Sequence, residues 1–225
     1  MKLGVILPTF RDQAQDALEV ARRCDDVGLD GVFAYDHLWP MGSPKRPSLA
    51  PFPILAAVAS RCSSLQVGPL VARVGMFGDA QLVRQFCSLA SLAPGRVIAA
   101  VGTGDAKSRD ELEAYGLKFS DAQVRRGELE NVAKVLQEEM TVWIGAGSSA
   151  TNELATRLGV VLNVWDVDQV RLNQLSLQGP VTWAGPAPEL LAPRLNALRD
   201  AGAQWAIFAH GVDVLELASW RDRGE

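Results

Sequence analysis

Asp36-His37 is the pair best suited to move a proton. It closes an apolar run, Gly31–His37, and sets a carboxylic acid beside one of only two imidazoles in the chain. An imidazole titrates near neutral pH and can pass a proton or donate to a developing anion. A histidine hydrogen-bonded into its own loop is the alternative reading of His37. Two glycine turns are the next candidates. Gly102-Thr103-Gly104-Asp105 lets backbone N–H groups approach an anion closely, and Thr103 adds a hydroxyl. Gly145-Ala146-Gly147-Ser148 directly precedes a helical stretch whose N-terminus would attract phosphate. Ser148 or Ser149 also suits a plain N-cap. Either turn alone is a common connection, whereas two on neighbouring strands point to one shared phosphate. Neither is a Walker motif or a dinucleotide fingerprint.

Other chemistry is poorly supplied. Cys24, Cys62 and Cys87 are far apart and odd in number, and each reads as a buried thiol in a helix rather than half of a disulfide. His37 and His210 make no zinc motif, so no metal is expected. His210 reads as a loop histidine. Lys107, Arg109, Asp110, Glu111 and Glu113 read as a solvated face, and Trp143, Trp183 and Trp205 as core or pocket wall.

The elements that must position these residues alternate along all 225 residues. Apolar runs at Lys2–Pro8, Gly31–His37, Leu65–Val71, Arg96–Gly102, Thr141–Gly147, Gly159–Trp165, Pro180–Ala184 and Gln204–Ala209 read as strands. Between them lie amphipathic stretches, such as Asp79–Leu92 with Leu82, Phe86 and Leu89 at helical spacing. A Pro- and Gly-rich loop, Leu38–Pro53, precedes a helix expected over Ile54–Cys62. A polar segment, Asp105–Asp121, precedes a helix over Ala122–Gln137. Continuous apolar runs suit parallel strands buried on both faces.

Strict alternation of eight units predicts a (β/α)₈ TIM barrel in one domain over residues 1–225, with few insertions. An open doubly wound sheet is the alternative. Hydrophobic residues make up 48% and charged residues 21%, values that fit a well-filled core. The net charge of −4 and the absence of a long basic run argue against nucleic acid. The N-terminus reads as a first strand rather than a signal peptide, and no run is long enough to span a bilayer. A cytoplasmic protein with a small-molecule substrate is expected.

In order and spacing, "GLDGVFAYDHL", "LQVGPLV", "SLAPGRVIAAVGTGD", "AYG" and "WIGAGSSATNELATRLG" resemble the luciferase-like monooxygenase superfamily, whose members use FMN or the deazaflavin coenzyme F420. The resemblance runs to about Trp165. It implies a (β/α)₈ barrel whose cofactor lies across the strand mouths. Its phosphate would rest on Thr103, Gly104, Gly147 and Ser148, with Gly102 and Ala146 also in the cofactor site. A non-proline cis peptide at Leu70–Val71 would lie behind the ring. In the F420-dependent branch a matching Asp-His pair places the Asp near the ring and the His at the substrate, as base or hydrogen-bond donor. Asp105 stands where that branch has Glu in a "GTGE" turn, and would take its acidic role. The resemblance thus implies an F420-dependent oxidoreductase transferring hydride to or from a small organic substrate, in a homodimer. An FMN-dependent monooxygenase or reductase, and a non-catalytic cofactor-binding relative, are the alternatives. The chain departs from the sugar-phosphate dehydrogenases of the branch. Its first strand ends Pro8-Thr9-Phe10 without an acidic residue, and no basic ligands for a substrate phosphate match.

Overall fold

The computed structural model describes residues 1–40, 42–44 and 46–223. Nine strand segments form one parallel sheet: β1 Lys2–Ile6, β2 Gly31–Ala34, β3 Gln66–Pro69, β4 Ala72–Arg73, β5 Ile98–Gly102, β6 Thr141–Gly145, β7 Val161–Trp165, β8 Val181–Gly185 and β9 Trp205–Ala209. Their order is β3-β2-β1-β9-β8-β7-β6-β5-β4. β3 and β4 stand at opposite ends of that order yet are separated only by Leu70 and Val71. They are two halves of one stave. The lower half pairs with β2 and the upper half with β5. A bridge between Val67 and Val97 closes the ring beneath the break. The eight expected units are therefore present as a (β/α)₈ barrel, with the third strand interrupted.

The helices are α1 Gln15–Asp26, α2 Pro51–Ala59, α3 Asp79–Leu92, α4 Arg109–Ala114, α5 Ala122–Leu136, α6 Ser149–Leu158, α7 Gln169–Ser176, α8 Leu191–Asp200 and α9 Val214–Arg223. One turn of 3₁₀ helix, Ala106–Ser108, leads into α4. The polar segment Asp105–Asp121 therefore carries a short helix of its own. α2 begins at Pro51, three residues before the expected start, because prolines are tolerated in a helix's first turn, where the N–H lacks an intrahelical acceptor anyway. It ends at Ala59, which leaves Cys62 in the following turn. Cys24 and Cys62 are buried, but Cys87 is exposed, on the outer side of α3. Leu82, Phe86 and Leu89 claim the inner face of that helix.

Strand residues alternate between two cores. Outward side chains such as Val5, Val32, Val101 and Ile144 pack under the helices. Inward ones fill the barrel: Ile6, Phe33, Ile98, Ala100, Trp143, Trp205 and Ile207 among them. Phe33, Trp143 and Trp205 meet with ring centroids 5.5–5.7 Å apart. The space for these rings comes partly from Gly4, where a Cβ would lie 2.9 Å from the Phe33 ring. Trp183 instead faces outward, and its indole N–H donates to the Val167 carbonyl at 3.1 Å. All three tryptophans are core, as expected, and each buried large apolar side chain of this kind adds about 1.5–3 kcal/mol of burial.

Candidate active site

Parallel strands deliver all their C-terminal ends to one face of the barrel. There the chain builds a buried charge network around the end of β2. Asp36 Oδ2 accepts from the backbone N–H of Arg73 at 2.7 Å and lies 3.9 Å from Arg73 Nε. The Arg73 guanidinium donates through one terminal nitrogen to Glu111 Oε2 at 2.5 Å. Glu111 Oε1 lies 3.0 Å from His37 Nδ1. Asp36, Arg73 and Glu111 are buried, at 8%, 4% and 2% exposure, so solvent screens these contacts little. The His37 side chain is about a quarter exposed and is the network's outlet to the mouth.

Burial raises the Asp36 carboxyl above the usual carboxylate range, and the adjacent Arg73 charge and N–H only partly oppose that rise. Burial also acts on Glu111, but the His37 hydrogen bond and the Arg73 charge outweigh it and hold Glu111 below its usual range. One guanidinium serves two carboxylates. With both ionised the network carries one excess negative charge, which a proton on His37 or Asp36 would cancel.

Glu111 does not belong to the solvated face expected of its segment. Ser108, Glu111 and Leu112 are buried at i, i+3, i+4, while Asp110 and Glu113 face out. That spacing was the available signal. Arg73 carried no such signal, being a lone cation just beyond an apolar run. Two further residues add apolar surface to the mouth. Phe10 and Tyr35 stack with centroids 5.1 Å apart and planes within 7°, and half-exposed Trp165 lies 6.0 Å from Tyr35. His37 borders both stacked rings, at 6.3 and 6.4 Å. Burial pushes the Tyr35 phenol up to about 12, so it stays neutral.

The glycine turns lie on adjacent strands, since β5 pairs with β6. The Leu70–Val71 bond is cis and not prolyl. Val71 leans over the ends of both strands. A Cβ on Gly102 would fall 2.6 Å from Val71 Cγ2, and one on Gly145 would fall 3.1 Å from it. The two glycines are thus what seats Val71. Gly104 takes the left-handed conformation at φ 64°, and a Cβ there would meet Arg73 Cδ at 3.3 Å. Thr103 Oγ1 donates to the Gly104 carbonyl at 3.1 Å.

Asp105 does not join the network of Asp36 and His37. It is exposed, and its Oδ1 caps the 3₁₀ turn, accepting from Lys107 N at 2.9 Å and Ser108 N at 3.2 Å. Ser148 is the N-cap of α6. It forms a capping box with Thr151, whose Oγ1 accepts from Ser148 N at 2.8 Å. The Ala146 N–H is spent on the Asn163 carbonyl at 2.7 Å. The first-turn amides of Ser149 and Ala150 have no intrahelical acceptor, as at any helix start. Among the described residues no cluster of three or more His, Cys, Asp or Glu is arranged to hold a metal ion, and no helix is long and apolar enough to cross a membrane.

Known proteins share this barrel fold. The family model described as luciferase-like monooxygenase matches residues 1–141, and the chain belongs to that family. It is 31% identical over 145 residues to an F420-dependent glucose-6-phosphate dehydrogenase of Amycolatopsis mediterranei, covering 63% of this chain and 42% of that protein. It is 31% identical over 219 residues to the F420-dependent hydroxymycolic acid dehydrogenase of Mycobacterium tuberculosis, covering 96% of this chain and 55% of that one. The chain spans about half the length of the curated relatives it matches. Among solved structures, an F420-dependent secondary alcohol dehydrogenase in complex with an F420-acetone adduct superposes with a TM-score of 0.80. The sequence identity there is 14%, over 99% of this chain and 97% of that chain, so the likeness is one of fold.

Proposed function

We propose that this chain is an F420-dependent oxidoreductase that exchanges hydride with a small organic substrate at the barrel mouth. The observation that carries the reading is the arrangement of His37, Val71 and the two glycine turns around one opening. The names of its relatives favour a deazaflavin over FMN. Their substrates differ from one another, and the cofactor is what they share.

The residues fit such a cofactor. A flat ring system needs an apolar support, and Val71 with the Phe10–Tyr35 stack supplies apolar surface. A phosphate needs N–H donors without competing carboxylates. The first turn of α6 and the Gly102–Gly104 turn offer backbone N–H groups, and Thr103 offers a hydroxyl. The side chain of Ser148 is committed to the helix cap, so its contribution there is the cap and not the hydroxyl. Leu70, in the barrel core at 7% exposure, supports the ring site from below through its link to Val71.

Bound F420 would supply the two-electron hydride chemistry. The protein's part is proton handling and orientation. His37 is the exposed member of the charge network and exchanges a proton with the substrate's reacting oxygen. Asp36 anchors the Arg73 backbone and holds the network to β2. Asp105 orders the turn that follows β5.

Binding separates the cofactors. Titration of the purified chain with F420, followed by the coenzyme's fluorescence, is expected to saturate, whereas FMN is not expected to bind. Saturable FMN binding with no F420 binding would sink the reading.

A further inference from the structure

We propose that Glu111, clamped by Arg73, is a positioning residue that fixes the neutral His37 ring in its Nδ1–H tautomer and leaves Nε2 as the proton-accepting atom. The inference rests on the reading of His37 as the proton-transfer group.

The geometry carries it. Glu111 Oε1 and Oε2 lie 3.0 and 3.3 Å from His37 Nδ1, so both oxygens face the same ring nitrogen. An ionised carboxylate can only accept a hydrogen bond. The nitrogen facing Glu111 must therefore carry the proton, and in a neutral ring only the other nitrogen keeps a lone pair. Arg73 keeps Glu111 ionised and immobile. The guanidinium bonds Glu111 at 2.5 Å, and its own backbone is tied to Asp36 at 2.7 Å. Two of its nitrogens, Nε and the second terminal one, are buried and have no hydrogen-bond partner among the described residues. Carrying a buried cation with unmade bonds is costly, and among the described residues the one strong bond this side chain makes is to Glu111. That points to Glu111 as the side chain Arg73 is there to hold.

The placement is also long-range. His37 lies three residues past the end of β2, Arg73 ends β4 and Glu111 lies in α4, so three segments converge on one imidazole edge. α4 and the turn before it bury little else than Ser108, Glu111 and Leu112. The segment after β5 thus acts as a strap that sets the histidine.

The test reads the ring directly. The chain has only two histidines, so long-range proton–nitrogen NMR of the uniformly ¹⁵N-labelled protein resolves both, and His210→Gln assigns them. With the ring neutral and no cofactor added, His37 is expected to show a protonated Nδ1 and an unprotonated Nε2. In Glu111→Leu, checked as folded by circular dichroism, the ring is expected to relax toward the Nε2–H form. Turnover with F420 is expected to fall about 10²-fold or more in kcat with the F420 affinity kept, since a general base in the wrong tautomer cannot accept the proton. A wild-type ring carrying its proton on Nε2, an unchanged tautomer in Glu111→Leu, or full turnover despite a changed tautomer would each overturn the proposal. If the wild type binds no F420, the oxidoreductase reading fails, and the tautomer spectra still decide the positioning role.

Discussion

Arg73 reaches Asp36 through its backbone and Glu111 through its side chain, so one residue ties the end of β2 to helix α4. Its N–H sits 2.7 Å from Asp36 and its guanidinium 2.5 Å from Glu111. Removing the cation while keeping both acids leaves two buried carboxylates without a counter-charge. Breaking such a buried pair costs about 3–5 kcal/mol. Arg73→Met is expected to lose stability on that scale in urea unfolding. Arg73→Met combined with Glu111→Leu should recover part of the loss, because the uncompensated charge goes with it. Strict additivity of the two substitutions would show that the pair is not coupled.

The two acids depend on pH in opposite directions. Glu111 has its folded-state pKa lowered, so it stabilises the fold when ionised. That contribution is complete above its unfolded value of about 4.3 and is lost as pH falls through the lower folded value. Asp36 has its folded-state pKa raised by burial. Its contribution is complete below its unfolded value of about 3.9 and is lost as pH rises through the folded value. Glu111→Gln is therefore expected to flatten the acid limb of a stability–pH curve, and Asp36→Asn to flatten the fall on the rising side. Thermal unfolding across a range of about pH 3 to 8 would show both. Identical curves for wild type and variants would refute the assignment.

The eight alternating units were legible because parallel strands buried on both faces read as unbroken apolar runs, with amphipathic stretches between them. Asp36-His37 was legible for the same reason, as the polar end of an apolar run. Glu111 and Arg73 were not. Their partners lie 37, 38 and 74 residues away, and only closure of the barrel brings them together. A carboxylate within a run of charged residues reads as solvated unless its burial spacing is noticed. Asp105 illustrates the converse: a motif position predicted for chemistry is used locally, as the cap of a turn. The same holds for the Ser148 side chain in its capping box.

Ser148 separates a structural role from a binding one. As an N-cap it satisfies an orphan amide of α6, and replacing such a cap by alanine costs about 1 kcal/mol. Ser148→Ala is expected to lower stability by that amount, while Ser148→Asp keeps the cap and sets a negative charge at the helix start. If the α6 N-terminus takes the cofactor phosphate, the Asp variant should fold well and bind F420 at least tenfold more weakly, about 1.4 kcal/mol. Equal F420 affinity in the Asp variant and wild type would remove α6 from the phosphate site.

Gly102 tests the seat of Val71 most directly. A Cβ at Gly102 would stand 2.6 Å from Val71 Cγ2, closer than two carbons can approach, and Gly102 is fully enclosed in the β5 ladder. Something must shift, and the cheapest shift is of Val71. Gly102→Ala is expected to destabilise the fold by about 1–3 kcal/mol, the usual range for an overpacked site. Because Val71 supports the proposed ring site, F420 affinity should weaken as well. Val71→Ala removes the Cγ2 that collides, so the double variant should be more stable than the sum of the single effects implies. Chemical unfolding of the four proteins closes the cycle. A coupling near zero would mean that Gly102 is not what makes room for Val71, and that the bulge after β3 is held by other contacts.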